Sequence, residues 1–88
     1  MDNIIVDARV HKKHPEIEDT DVFSAWKNTI NVVLRETSEK DFLIAVGSDM
    51  KGRLLEMVAT EEDDGTKHIF HAMTPPSEKT LRETGFIK

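Results

Sequence analysis

The stretch GRLLEMVATEEDDGTKHIFHAMTPPSEKTLRE, residues 52–83, reads as strand, tight turn, strand and short terminal helix. Residues 53–61 are rich in Leu, Met and Val, which fit a pleated and partly buried surface. Asp63-Asp64-Gly65 is a turn signal, because Asp-Gly readily supplies the positive φ values of a two-residue hairpin loop. Residues 67–72 alternate, with Ile69 and His71 on one side and His68, Phe70 and Ala72 on the other. Pro75-Pro76 ends that strand, since proline cannot donate to a ladder, and it suits a helix start at Ser77. Gly85 then terminates the helix.

Working outward, residues 42–47 predict another strand, joined to the first by a turn at residues 48–52. A four-residue loop at 49–52 would pair Val46 with Leu55, Ile44 with Met57 and Phe42 with Ala59, all on one core face. An Asp64-Gly65 loop would add Ala59 opposite Phe70 and Met57 opposite Ala72 on that face. Leu54, Glu56, Val58, Ile69 and His71 would occupy the other, with Glu56 diagonal to His71. A one-residue slip in either loop reverses the assignment.

The front half starts with an extended lead-in at Ile4, Ile5 and Val6 that turns helical near Ala8 and stops before Pro15. Asp19 or Thr20 caps the next helix, residues 21–29, whose Val22, Phe23, Trp26 and Ile30 form an apolar stripe. Trp26 suits a core anchor between helix and sheet better than a base-stacking surface. Residues 31–35 are β-branched enough for a further short strand. The expected architecture is α+β: N-terminal helical segments on a small, mainly antiparallel sheet, followed by a short C-terminal helix, in a single domain over residues 1–88.

In this order, the segments carry a resemblance. GRLLEMV, the acidic turn with Gly65, the second strand and the charged terminal helix resemble the BrnT-type toxins, within the RelE-like ribonucleases of bacterial toxin–antitoxin pairs. Lys12-Lys13-His14-Pro15, followed by a helix with Asp21, Val22 and Phe23, resembles that family's K-H-G and F-E-E-A region. The resemblance implies a RelE-like fold and a metal-independent endoribonuclease without cofactor, acting on RNA and silenced by an antitoxin protein. A homodimer is compatible with it. Members commonly carry a basic residue in a Ser-Ala-Arg-like segment where the last strand meets the last helix; here that segment is His71-Ala72-Met73. That departure supports an alternative, a non-catalytic protein-interaction domain that keeps the fold.

Composition narrows the classes. Hydrophobic residues make up 38% and charged residues 33%, as in a soluble globular chain. Without cysteine, disulfide frameworks and thiolate metal sites are excluded. No apolar run approaches the roughly 20 residues a membrane span needs, and no signal-peptide pattern opens the sequence, so a cytoplasmic location without membrane contact is expected. The net charge of −5 opposes non-specific coating of nucleic acid, while leaving room for a local basic cluster.

Cutting RNA without a metal needs a general base, a general acid and positive charge on the phosphorane. His71 with Glu56 supplies acid–base group and orienter; Lys79 and Arg82, three apart on the last helix, share a face that suits phosphate, and Arg53 joins them. Arg82 counts among the expected catalytic groups. His11-Lys12-Lys13-His14 is the most basic patch, and Lys12, Lys13 and His14 are phosphate-binding candidates. The plainer readings are a sheet histidine at 71, a solvated helix face at 79–82 and a polar helix end at 11–14. No metal site is expected, because His11 and His14 lack a third ligand.

Overall fold

The computed structural model describes residues 3–88. Five strands form one sheet: β1 (Ile4–Val6), β2 (Val32–Glu36), β3 (Asp41–Ser48), β4 (Leu54–Glu61) and β5 (Lys67–Met73), in the order β1-β5-β4-β3-β2. β2 to β5 run as an antiparallel meander, and β1 adds parallel to β5. Three helices complete the α+β fold: α1 (Ala8–Lys13), α2 (Asp19–Lys27) and α3 (Glu78–Glu83).

Local chemistry explains the short helices. Asp7 caps α1, its Oδ1 accepting from the Arg9 amide at 2.9 Å, and the helix ends at His14, ahead of Pro15. α2 begins earlier than the expected Asp21, with Glu18 rather than Asp19 or Thr20 at its N-cap. The reason is Asp21, which reaches back to accept from the Glu18 amide at 2.9 Å and so draws 19 and 20 into the first turn. Gly85 ends α3 at φ 86°, where Phe86 donates its amide to Leu81 O at 2.8 Å.

α2 lies on one face of the sheet, over Leu55, Met57, Ala59, Ile69 and Ala72, with Val22, Ala25 and Trp26 buried against them. Phe23 stays at the edge of this core, more than a third exposed. The helix comes so close at Gly47 that a Cβ there would lie 1.9 Å from Ala25 O. A strand glycine often marks such an approach of another backbone.

Both loop expectations are corrected. Ser48 pairs with Leu54, so loop 49–53 has five residues, not four. Leu55, Met57 and Ala59 therefore face Gly47, Ala45 and Leu43, while Phe42, Ile44 and Val46 turn to the other side of the sheet. The buried carboxylate of Asp49 causes this, accepting the amides of Lys51 at 2.9 Å and Arg53 at 2.8 Å and so drawing Arg53 into the turn. The second loop, 62–66, is also longer than the Asp64-Gly65 pair, with Asp64 Oδ1 accepting from the Thr66 amide. Met57 does oppose Ala72, but a bulge between Val58 and Ala59 pairs Ala59 with Ile69 and leaves Phe70 as the extra residue. Ile69 thus joins the core instead of sharing a side with His71, and His68, Phe70 and His71 all lie on the face opposite α2.

Gly47→Ala is expected to lower the unfolding free energy by about 3 kcal/mol or more, because a helix backbone must move to admit the methyl group. Gly52→Ala, at φ 81° with open space around it, should cost only about 1–2 kcal/mol. Urea titrations of both variants check the contrast; equal losses would mean that α2 is not seated on Gly47.

Candidate active site

The face opposite α2 carries a groove of about 690 Å³ between the end of α1, the sheet and the start of α3. Glu56 is at its centre. The register of β4 places it on this face opposite Met73, and it is only 6% exposed. Its Oε1 accepts from the Ser77 amide, the N-cap of α3, at 2.8 Å. Its Oε2 lies 2.8 Å from His71 Nε2. Burial pushes the carboxyl up, but hydrogen bonds from the Ser77 amide, His71 and the hydroxyls of Ser77 and Thr80 outweigh it and hold Glu56 below the usual glutamate value. An ionised carboxylate cannot donate, so the neutral imidazole must carry its proton on Nε2, which leaves Nδ1 as the basic nitrogen.

A second imidazole completes the centre. His14, at the end of α1, meets His71 edge to face with ring centroids 6.4 Å apart. Lys12 and Lys13 from the last turn of α1 and Lys79 from α3 line the same groove. Among the described residues none of these three lysines forms an ion pair with a carboxylate. Arg35 of β2 lines it too, its Nε donating to Glu83 Oε2 at 2.9 Å, and so does Arg9, whose Nε and Nη2 donate to the two oxygens of Asp7 at 3.0 Å each. Phe42 and Phe70 form an apolar end of the groove.

Six of the residues expected from the sequence therefore converge: His71, Glu56, Lys79, Lys12, Lys13 and His14. Arg53 and Arg82 do not line the groove. Arg53 belongs to the α2 side, where Nε donates to Asp49 at 2.8 Å and Nη2 to Asp21 at 2.9 Å. Lys51 adds a contact to Asp21 at 3.1 Å. Burial pushes both aspartates up, and these cations with nearby amides bring both below the usual carboxylate range. Arg82 pairs with Glu78 one turn back on α3 and donates to Lys88 O. Sequence reasoning missed Arg9, Arg35, Phe42 and Phe70. The Asp7-x-Arg9 spacing of a capped helix start carried a signal for Arg9; the two phenylalanines depended on a register that the loops concealed.

No family model, curated protein or solved structure matches the chain. The described residues contain no helix long and apolar enough to cross a membrane. Nor do any three His, Asp or Glu side chains among them converge as metal ligands would.

Two outcomes follow from the electrostatics. A carboxyl whose folded value is depressed contributes stability that is present above its ordinary value and lost as pH falls through the folded one. Glu56→Gln should therefore be less stable than wild type at neutral pH by about 1–3 kcal/mol, the scale of a charged hydrogen-bond network. The gap should narrow as pH falls below about 4.5. Urea unfolding across pH measures this, and a gap that widens in acid would refute it. Arg53→Met takes one cation from each of two buried aspartates, which keep Lys51 and backbone amides, and should cost about 1.5–3 kcal/mol at pH 7 without altering the groove; the same titration reads it.

Proposed function

We propose that this chain is a BrnT-like toxin: a metal-independent endoribonuclease of the cytoplasm, held silent by a partner antitoxin. The observation that carries the reading is the His71–Glu56 pair facing His14 in a groove lined with lysines. The resemblance of the sequence to the toxin family supports it independently.

In this mechanism His71, oriented through Nε2 by Glu56, takes the proton of a 2′-hydroxyl at Nδ1. The 2′-oxygen attacks the adjacent phosphorus, the bond to the 5′-oxygen breaks, and His14 delivers a proton to the departing oxygen. The products are a 2′,3′-cyclic phosphate and a 5′-hydroxyl end. Lys12, Lys13 and Lys79 bind the phosphate and stabilise the extra negative charge of the phosphorane. Arg35, paired with Glu83, adds positive charge at the groove wall, whereas Arg53 and Arg82 lie outside the groove. No step needs a metal ion or cofactor.

A second reading, a protein-interaction domain without catalysis, draws on a specific position. Met73 stands opposite Glu56 on the groove face, near where the family carries its cation. The net charge of −5 suits a basic protein partner better than RNA.

Total RNA incubated with the purified chain in EDTA separates the two. Cleavage by wild type is expected, with a fall of about a hundredfold or more in His71→Ala and in His14→Ala, the scale of an acid–base contribution. Lys79→Ala should weaken cleavage and Arg82→Ala should leave it nearly unchanged. A folded wild-type chain that cuts nothing would favour the interaction domain.

A further inference from the structure

We infer that Phe42, Phe70 and Arg9 form a nucleobase subsite beside the two histidines, on which one base of a single-stranded RNA stacks. The inference rests on the ribonuclease reading for its substrate, and on separate geometry for its location.

Phe42 and Phe70 meet edge to face on the groove side, with centroids 5.7 Å apart and planes at 66°. They remain partly exposed, whereas the aliphatic side chains of the main core lie under α2 on the other face of the sheet. The Arg9 guanidinium lies over the Phe70 ring, 5.7 Å from its centroid. Asp7 holds it there by two hydrogen bonds, and His68 Nε2 in turn lies 3.0 Å from Asp7 Oδ2. These bonds keep the Asp7 carboxyl charged by holding it well below the usual range, Arg9 contributing most. The Arg9 side chain is nevertheless 67% exposed, so a flat cationic surface faces water at the rim of an aromatic floor.

Aromatic rings and arginine planes are what proteins offer to unpaired bases, and a base inside a duplex cannot reach them. The bulge gives the position its meaning. It turns the chain neighbours Phe70 and His71 to the same side, so the stacking surface lies one residue from the imidazole assigned to the 2′-hydroxyl. A base seated here stacks on the exposed outer plane of Arg9 with Phe70 beneath it, in the same groove that His71 and the lysines line. Phe42 and Phe70 thus set the substrate class: strands with an unpaired base next to the cut, with little preference among bases, since every base has a stacking face.

The test uses a fluorescein-labelled 2′-O-methyl RNA hexamer, which lacks the attacking hydroxyl and cannot be cut by this mechanism. Binding is read by anisotropy for wild type, Phe70→Leu and Arg9→Gln. Phe70→Leu is expected to bind about five- to a hundredfold more weakly, the scale of one stacked base. An abasic residue scanned along the hexamer should weaken wild type by a similar factor at one position and Phe70→Leu little further there. Hexamer annealed to its complement should bind both proteins alike. Equal single-strand binding by wild type and a folded Phe70→Leu, an abasic scan without a sensitive position, or no binding by wild type overturns the subsite. If Phe70→Leu does not fold, Arg9→Gln decides, by a several-fold loss or by none. The ribonuclease reading is judged separately on unmodified RNA. A chain that binds the hexamer but never cuts keeps the subsite and loses that reading; one that cuts while Phe70→Leu binds normally keeps the reading and loses the subsite.

Discussion

The buried carboxylate of Glu56 joins β4, on which it stands, to β5 and to the start of α3. A charge withdrawn from water costs several kcal/mol unless hydrogen bonds replace its hydration. Here one oxygen accepts from the amide of Ser77, the N-cap of the last helix, and the other from an imidazole of the neighbouring strand. α3 has only six residues, far below the length at which a helix is stable alone. It persists because it packs against β3, where Ile44 and Val46 are fully buried, and because its start is tied to Glu56. Arg35 to Glu83 and Asn31 to Thr84 O fasten its far end to β2 and to the segment just before that strand. The same carboxylate fixes which nitrogen of His71 is basic. The seating of α3 and the tautomer of His71 therefore depend on one side chain.

Much of this was legible in the sequence, and the rest was concealed for identifiable reasons. Element order followed from punctuation at Pro15, Gly52, Gly65, Pro75-Pro76 and Gly85. The diagonal between Glu56 and His71 was also legible, because both residues lie on the stretch of the hairpin between the bulge and α3, where Met57 and Ala72 pair as alternation predicts. Beyond the bulge alternation fails, and Ile69 and Phe70 exchange faces. No composition rule marks Phe70 as the extra residue. The β3 register was lost through Asp49, whose side chain recruits two amides and lengthens the turn by one residue. A slip of one residue reverses every side chain of a strand, and the aromatic end of the groove was invisible for that reason.

The cations divide in the same manner. Arg53 looked free because nothing nearby in sequence, apart from Asp49, suggests a partner; Asp21 arrives from another element 32 residues away. Two buried aspartates claim Arg53, and Lys51 is drawn in with it. Spacing along one helix misled for Arg82 in the opposite sense, since Glu78 is a partner of the common i, i+4 kind. Lys12, Lys13 and Lys79 were the better candidates because no described carboxylate engages them, which sequence spacing alone does not reveal.

An acidic chain with a basic groove raises the question of which charge an RNA strand would meet. Screening decides it. At physiological ionic strength the Debye length is about 8 Å. From Glu56 in the groove to Glu61, where the acidic hairpin tip begins, β4 extends five residues, or roughly 17 Å at strand rise. That is about two Debye lengths, so the run 61–64 acts weakly on a phosphate held in the groove. Carboxylates near the groove are engaged: Glu56 with Ser77 and His71, Asp7 with Arg9, Glu83 with Arg35, and Glu16 3.6 Å from His14 Nδ1. A phosphate at the centre thus meets first three lysines that form no ion pair among the described residues, whatever the sign of the whole chain. The net charge of −5 acts instead on the approach at low salt, where it slows association with RNA and favours a basic protein. Long-range charge suited to a basic protein and short-range charge suited to phosphate thus coexist on one small domain.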